Sequence, residues 1–374
     1  MTRARAIVGL AVICPLLAAA AGCEFQVPAA TYIHQTKLIS VEAEVVELGP
    51  LNPGRVGLPN PAPIAEPMPH DRFSFEAVVV DPDGRQLPAS EIESIWFQCG
   101  VHPCRVTNSA TGSPVASYQR RCDEIEPDPS VEQGPLSMDD QCRIGEGDAR
   151  FEFVLPELGP TMADHRMANY YGVIGWNGRR AEDCWSARLA LDELLDDCAF
   201  ITRTVKIGPS WWMLAYASEV LNFQTQIPFW QIPIAVYGQA ANRTPSARVE
   251  VWIDRALAGT HPDADSFTVE PGSRIHLEPI YDEFEQFGQT YFRAQFDPEY
   301  QKFWFQPTVE LLLEIPYTTN AIHSTSPSDV TTLLPPLDFV VDENAGAGRS
   351  TIFLILQDDR FGERVVRLDF EVKP

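Results

Sequence analysis

Cys99, His102 and Cys104 fall within the stretch CGVHPC, where two thiols and an imidazole sit close enough to suggest zinc. A structural zinc site needs four such ligands. No second CxxC and no HxxxH completes the set, and the seven histidines are dispersed. Acidic pairs are the next candidates. Asp81 with Asp83, Asp263 with Asp265, the stretch VDENAG from Val341, and Asp358 with Asp359 offer hard oxygens of the kind calcium takes. None has the spacing of an EF-hand loop, and acids at turns are ordinarily solvated. The same carboxylates could act as acid and base in a hydrolase. Aspartate and glutamate number 52, so pairs such as DEFE and DD carry little information by themselves. HExxH, GxSxG, P-loop and dinucleotide patterns do not occur. NAGAGRS, from Asn344, lacks the lysine of a phosphate cradle and reads as a loop. No catalytic residue, metal ligand or cofactor is therefore assigned, with calcium at the acidic turns as a minor reading.

The N-terminus gives a sharper signal. Arg3 and Arg5 precede an apolar run from Ala6 to Gly22, shorter than the roughly 20 residues of a membrane-spanning helix. That pattern is a signal peptide. Ala20, Ala21, Gly22 and Cys23 resemble the lipobox of a bacterial lipoprotein, although the usual leucine three positions before the cysteine is absent. The resemblance implies diacylglycerol on Cys23, cleavage before it, and lasting attachment through several acyl chains. Glu24 stands where an inner-membrane retention aspartate would lie, which favours the outer membrane. The alternative is an ordinary secretory signal ending at Ala19 and Ala21.

Of eight cysteines, Cys14 lies in the signal and Cys23 at its end. The remaining six are Cys99, Cys104, Cys122, Cys142, Cys184 and Cys198. An even set in an exported chain reads as disulfides, and the sequence leaves their connectivity open. The net charge of −24 repels nucleic-acid phosphates and anionic lipid surfaces.

The elements that would hold these residues are mostly strands. QTKLISVEAEVVEL alternates Ile39, Val41, Ala43 and Val45 against Ser40, Glu42 and Glu44, the period of a half-buried strand. The proline-rich stretch from Pro50 to Pro69 excludes helix and central strand. DRFSFEAVVV runs into a turn at Asp81 to Gly84, and ESIWFQCG carries Trp96 toward a core. AEDCWSARLALDELLDDCAF instead has helical spacing. Continuous from Cys184 to Cys198, that helix would place the two cysteines about 21 Å apart, far beyond the roughly 7 Å a disulfide spans. An aromatic stretch, PSWWMLAYASEVLNFQTQIPFWQIPIAVYG, holds too many polar groups and prolines for a membrane helix. It reads as a junction packed between two domains, or as an exposed ligand-binding patch. RVEVWID alternates Val249, Val251 and Ile253 against Glu250 and Trp252, and PTVELLLEIPYTT, STIFLILQDDRFGE and RVVRLDFEV continue a series of strands, the last with Val366, Leu368, Phe370 and Val372 facing one way.

PHDRFSFEAVVVDPDG and PGSRIHLEPIYDEFEQFG echo each other as turn, alternating strand and acidic turn. Their order resembles immunoglobulin-like or PKD-like domains of bacterial surface proteins over residues 35–208 and 240–374. The resemblance implies a mainly β fold of two immunoglobulin-like β-sandwich domains, the first carrying a disulfide-rich, partly helical insertion. The organisation expected is a signal at 1–22, a tether at 23–34, a first sandwich at 35–208, an aromatic interdomain segment at 209–239 and a second sandwich at 240–374. The expected role is non-catalytic binding, adhesion or scaffolding in the cell envelope. The expected partners are the membrane, through the lipid, and an envelope protein or glycan, with no nucleic acid. An envelope hydrolase using acidic loop residues is the rival. Replacing Cys23 with serine should move the full-length protein from the membrane to the soluble fraction of fractionated cells; undiminished membrane retention would contradict lipidation there.

Overall fold

The computed structural model describes residues 31–50, 52, 63–100, 104, 120–124, 140–157, 167–190, 195–208, 242–264, 266–281, 290–297, 302–309, 311–325 and 337–373. The first part of the chain forms β1 (Thr31–Ile33), β2 (Lys37–Glu47), β3 (Arg72–Val80), β4 (Ile92–Gly100), β5 (Cys142–Gly147), β6 (Arg150–Val154), β7 (Met167–Trp176), the helix α1 (Ala181–Ala190) and β8 (Cys198–Lys206). The second part forms β9 (Ala247–Ile253), β10 (Ala256–His261), β11 (Ser266–Val269), β12 (Arg274–Tyr281), β13 (Thr290–Asp297), β14 (Lys302–Val309), β15 (Leu312–Thr319), β16 (Ile322–Ser324), β17 (Asp338–Val341), β18 (Gly348–Asp358) and β19 (Glu363–Val372). The fold is mainly β, and no described helix is long and apolar enough to cross a membrane. The aromatic segment 209–239 lies outside the described residues.

Alternation of side chains builds the first core. Val41 and Ala43 of β2, Phe73, Phe75, Ala77 and Val79 of β3, and Phe151 of β6 form the inner face of one antiparallel sheet. They meet Trp96 of β4 and Tyr170 and Ile174 of β7, in the sheet ordered β5-β4-β7-β8. Phe75 stacks on Trp96 with ring centroids 4.4 Å apart. The opposite face of β4, with Ile95, Phe97 and Cys99, is covered by Cys184 and Trp185 of α1. A continuous run of buried residues along β4 follows, because both its faces are packed.

The disulfides pair Cys99 with Cys104, Cys122 with Cys142, and Cys184 with Cys198. The last pair corrects the long-helix expectation: α1 ends at Ala190 and Cys198 opens β8, which brings the two Cα atoms to 5.8 Å. PTVELLLEIPYTT spans the end of β14 at Val309 and β15 from Leu312.

The second part is sandwich-like as well. One sheet is ordered β10-β9-β12-β17-β16 and the other β1-β15-β18-β19-β11. Val251, Leu277 and Phe339 of the first face Leu354, Leu356, Leu368 and Phe370 of the second. The inward set on β19 is Val366, Leu368, Phe370 and Val372, as its alternation predicts. Two pairings are parallel: β11 with β19, and β1 with β15. Thr31–Ile33, expected within a tether, thus occupy the edge of a sheet made by the C-terminal half.

The halves meet through a third layer contact. Ile39, Val78 and Val80 pack with Ile33, Ile315, Phe353 and Ile355. A β-bulge between Leu38 and Ser40 breaks the simple alternation of β2 and sends Ile39 to this face. Gly84, at φ 76°, sits so close that a Cβ would lie 2.3 Å from the Thr351 hydroxyl. Charge is buried at the same seam. Arg203 of β8 donates to Glu363 of β19 at 2.6 Å and to the Phe361 carbonyl at 2.7 Å, and Ser40 of β2 donates to the other Glu363 oxygen. Side-chain exposures of 7% and 10% make this a desolvated pair. Buried Glu66 lies 3.5 Å from the Arg360 guanidinium and accepts the Asn242 N–H at 2.9 Å. The Val365 N–H donates to Glu42 at 2.6 Å.

Removing one partner of a buried pair strands the other charge. Glu363→Ala should therefore cost about 3–5 kcal/mol in chemical denaturation, whereas Glu371→Ala, at the exposed Lys373 pair, should cost no more than about 1 kcal/mol. Equal small losses would contradict a structural role for the seam. Burial raises the Glu42 carboxyl above its ordinary value, opposed by the Val365 N–H and reinforced by the charge of Glu76. The folded state therefore binds the proton more tightly than the unfolded chain. Stability is greatest below the unfolded value of about 4.3 and falls as pH rises through the higher folded one. Glu42→Gln keeps the acceptor and should lessen that fall, melting above the parent at pH 7; identical pH profiles would refute this.

Candidate functional site

The outer face of the β10-β9-β12-β17-β16 sheet carries the arrangement with the most chemistry. Val249 and Val251 point inward on β9, so Trp252 is turned outward. Ile275 and Leu277 on β12, and Phe339 and Val341 on β17, leave His276 and Asp338 on that same face. Register then aligns Leu257, Trp252, His276 and Asp338 in one row across four strands. His276 Nδ1 lies 2.8 Å from Asp338 Oδ1, with both side chains about half exposed.

The β9–β10 turn adds positive charge to one end of the row. Asp254 and Arg255 both have positive φ, 49° and 70°, the backbone of a two-residue hairpin turn. Asp254 tolerates that geometry and pins the turn to β12: its N–H donates to the Arg274 carbonyl and its carboxylate accepts the Arg274 N–H, each at 2.9 Å. The turn that bears Arg255 is thereby tied to the start of β12 at Arg274, and both arginines are exposed. Neither guanidinium forms an ion pair with a described residue. Together with Trp252, His276, Thr325 and Asp338 they line an open groove of about 630 Å³, within the usual size range of small-molecule sites. Trp252 Nε1 is buried and has no hydrogen-bond partner among the described residues.

A hydrolytic triad would need a hydroxyl aimed at His276. Thr325 instead donates its hydroxyl to the Asp338 carbonyl at 3.0 Å. Asp338 is the one carboxylate among the described residues that line the groove. A groove of similar volume is lined by Arg248, His261, Arg364 and Arg367; there Arg248 pairs with Asp263 and Arg367 with Asp369.

The residues singled out from sequence lie elsewhere. Cys23, His102 and Asp265 are outside the described residues. Cys99 and Cys104 are bonded to each other, which removes the thiolates a zinc site would use. Asp81 accepts from the Arg85 N–H at 2.8 Å and from its guanidinium at 3.2 Å. Asp342 accepts the Asn344 N–H at 2.9 Å. Asp358 accepts the N–H groups of Arg360 and Gly362 at 2.8 Å each, and the Asn242 amide at 2.9 Å. These acids close turns, and no group of three or more His, Cys, Asp or Glu able to hold a metal occurs among the described residues. Trp252 was visible in the sequence only as a large aromatic on the polar side of an alternating strand. His276, Asp338 and the arginines gave no local signal, since strand pairing alone assembles them. No protein-family model and no curated protein matches the chain.

Proposed function

We propose that the chain is a lipid-anchored protein of the bacterial cell envelope, held at Cys23 in the outer membrane, and that it recognises an envelope glycan without chemical turnover. Its two halves would be immunoglobulin-like sandwiches, a reading supported by the two-layer cores in each. The observation that carries the function is the groove at Trp252: an aromatic side chain, two guanidinium groups without an ion pair to a described residue, and an imidazole on a sheet, with no hydroxyl of a described residue bonded to the His276–Asp338 pair's side chains. The lipobox-like end supplies the address, and the disulfides fit an oxidising compartment.

The detergent-solubilised, full-length protein should be retained by sedimented envelope polymer from the cells that produce it. Trp252→Ala should cut retention about tenfold, with its melting temperature unchanged within error. Equal retention of the variant would exclude the groove. Release of soluble fragments from the polymer, abolished by Asp338→Asn, would establish the hydrolase instead.

A further inference from the structure

We infer that the groove selects an acidic saccharide, one sugar face lying on Trp252 and its carboxylate or phosphate held between Arg255 and Arg274. This rests on the glycan-binding reading and goes beyond it in naming the charge of the ligand. In a chain of net charge −24, arginines are readily neutralised: of the three that line the other groove, Arg248 and Arg367 are paired with Asp263 and Asp369. Arg255 and Arg274 form no ion pair with a described residue, although the turn that carries one of them is locked to the backbone of the other. That arrangement leaves two planar forks on a fixed frame, a geometry suited to bidentate recognition of carboxylate or phosphate.

The neighbouring groups suit a sugar rather than a free anion. The C–H groups along one face of a pyranose are apolar and weakly positive, and they pack on the negative face of an indole. Trp252 is adjacent to His276 in register, and with His276 Nδ1 held by Asp338, its Nε2 makes no hydrogen bond with a described residue. It can meet a hydroxyl as donor or acceptor. The next outward row toward the other end of the strands pairs Glu250 with Glu278. Those two carboxylates repel a second negative charge, so the acidic group belongs at the arginine end and the remainder of the chain there should be neutral.

Calorimetry on the lipidated protein in detergent tests this with three probes: oligogalacturonate, mannose 6-phosphate and neutral maltohexaose. One or both acidic probes should bind and maltohexaose should not, and 0.5 M salt should weaken binding by screening exposed charge. The double substitution Arg255→Gln with Arg274→Gln should weaken the acidic probe about tenfold or more, and the lysine pair should restore part of the loss. Which acidic probe binds distinguishes carboxylate from phosphate. Equal binding of maltohexaose, or tight acidic binding untouched by the double glutamine variant, overturns the inference. Failure of all three probes while envelope polymer is still retained through Trp252 also overturns it, leaving glycan recognition intact. Failure of all probes together with loss of polymer retention overturns the glycan-binding reading itself.

Discussion

The Glu363 carboxylate holds the architecture together. It begins the last strand, receives Arg203 from β8 and Ser40 from β2, and is almost removed from water. A carboxylate in that position is tolerable only with its cation in place, and the cation comes from a residue 160 positions earlier in the chain. The same holds for Glu66, whose guanidinium partner is Arg360. Neither half can bury these residues satisfactorily alone. Desolvation thus makes docking of the halves a requirement of the sequence, and the apolar contact around Phe353 and Val80 adds the favourable burial.

The strands were legible because one face of each is buried and the other is not. β19 and β9 follow their alternation residue by residue. The departures have definite causes. Cys198 opens β8 rather than continuing α1, and its disulfide brings it back to Cys184, a constraint that helical spacing does not reveal. Ile39 faces the seam because of a bulge, which exchanges the faces of β2 without any change in residue type. The parallel pairings of β1 and β11 join segments remote in sequence, and local pattern carries no record of them.

The proposed binding groove was legible only at Trp252. Arg255, His276 and Asp338 are each ordinary surface residues until register sets them in one row. That register depends on the inward set of Val251, Leu277 and Phe339, so the apolar core fixes the outward polar geometry. Asp254 adds the last constraint by tying the hairpin tip to β12. The outer face is thus prearranged before any ligand arrives, and little ordering entropy remains to be lost on binding.

The account stands or falls on what occupies that face in the cell. A photoreactive residue in place of Leu257, beside Trp252 and half exposed at 51%, reports this directly when the full-length protein is irradiated in the cells that make it. Mass spectrometry of the adduct should find saccharide, and the same reagent at exposed Val154 on the opposite half should not capture it. A protein adduct at position 257, or equal saccharide capture at both positions, would contradict recognition of a glycan at the groove.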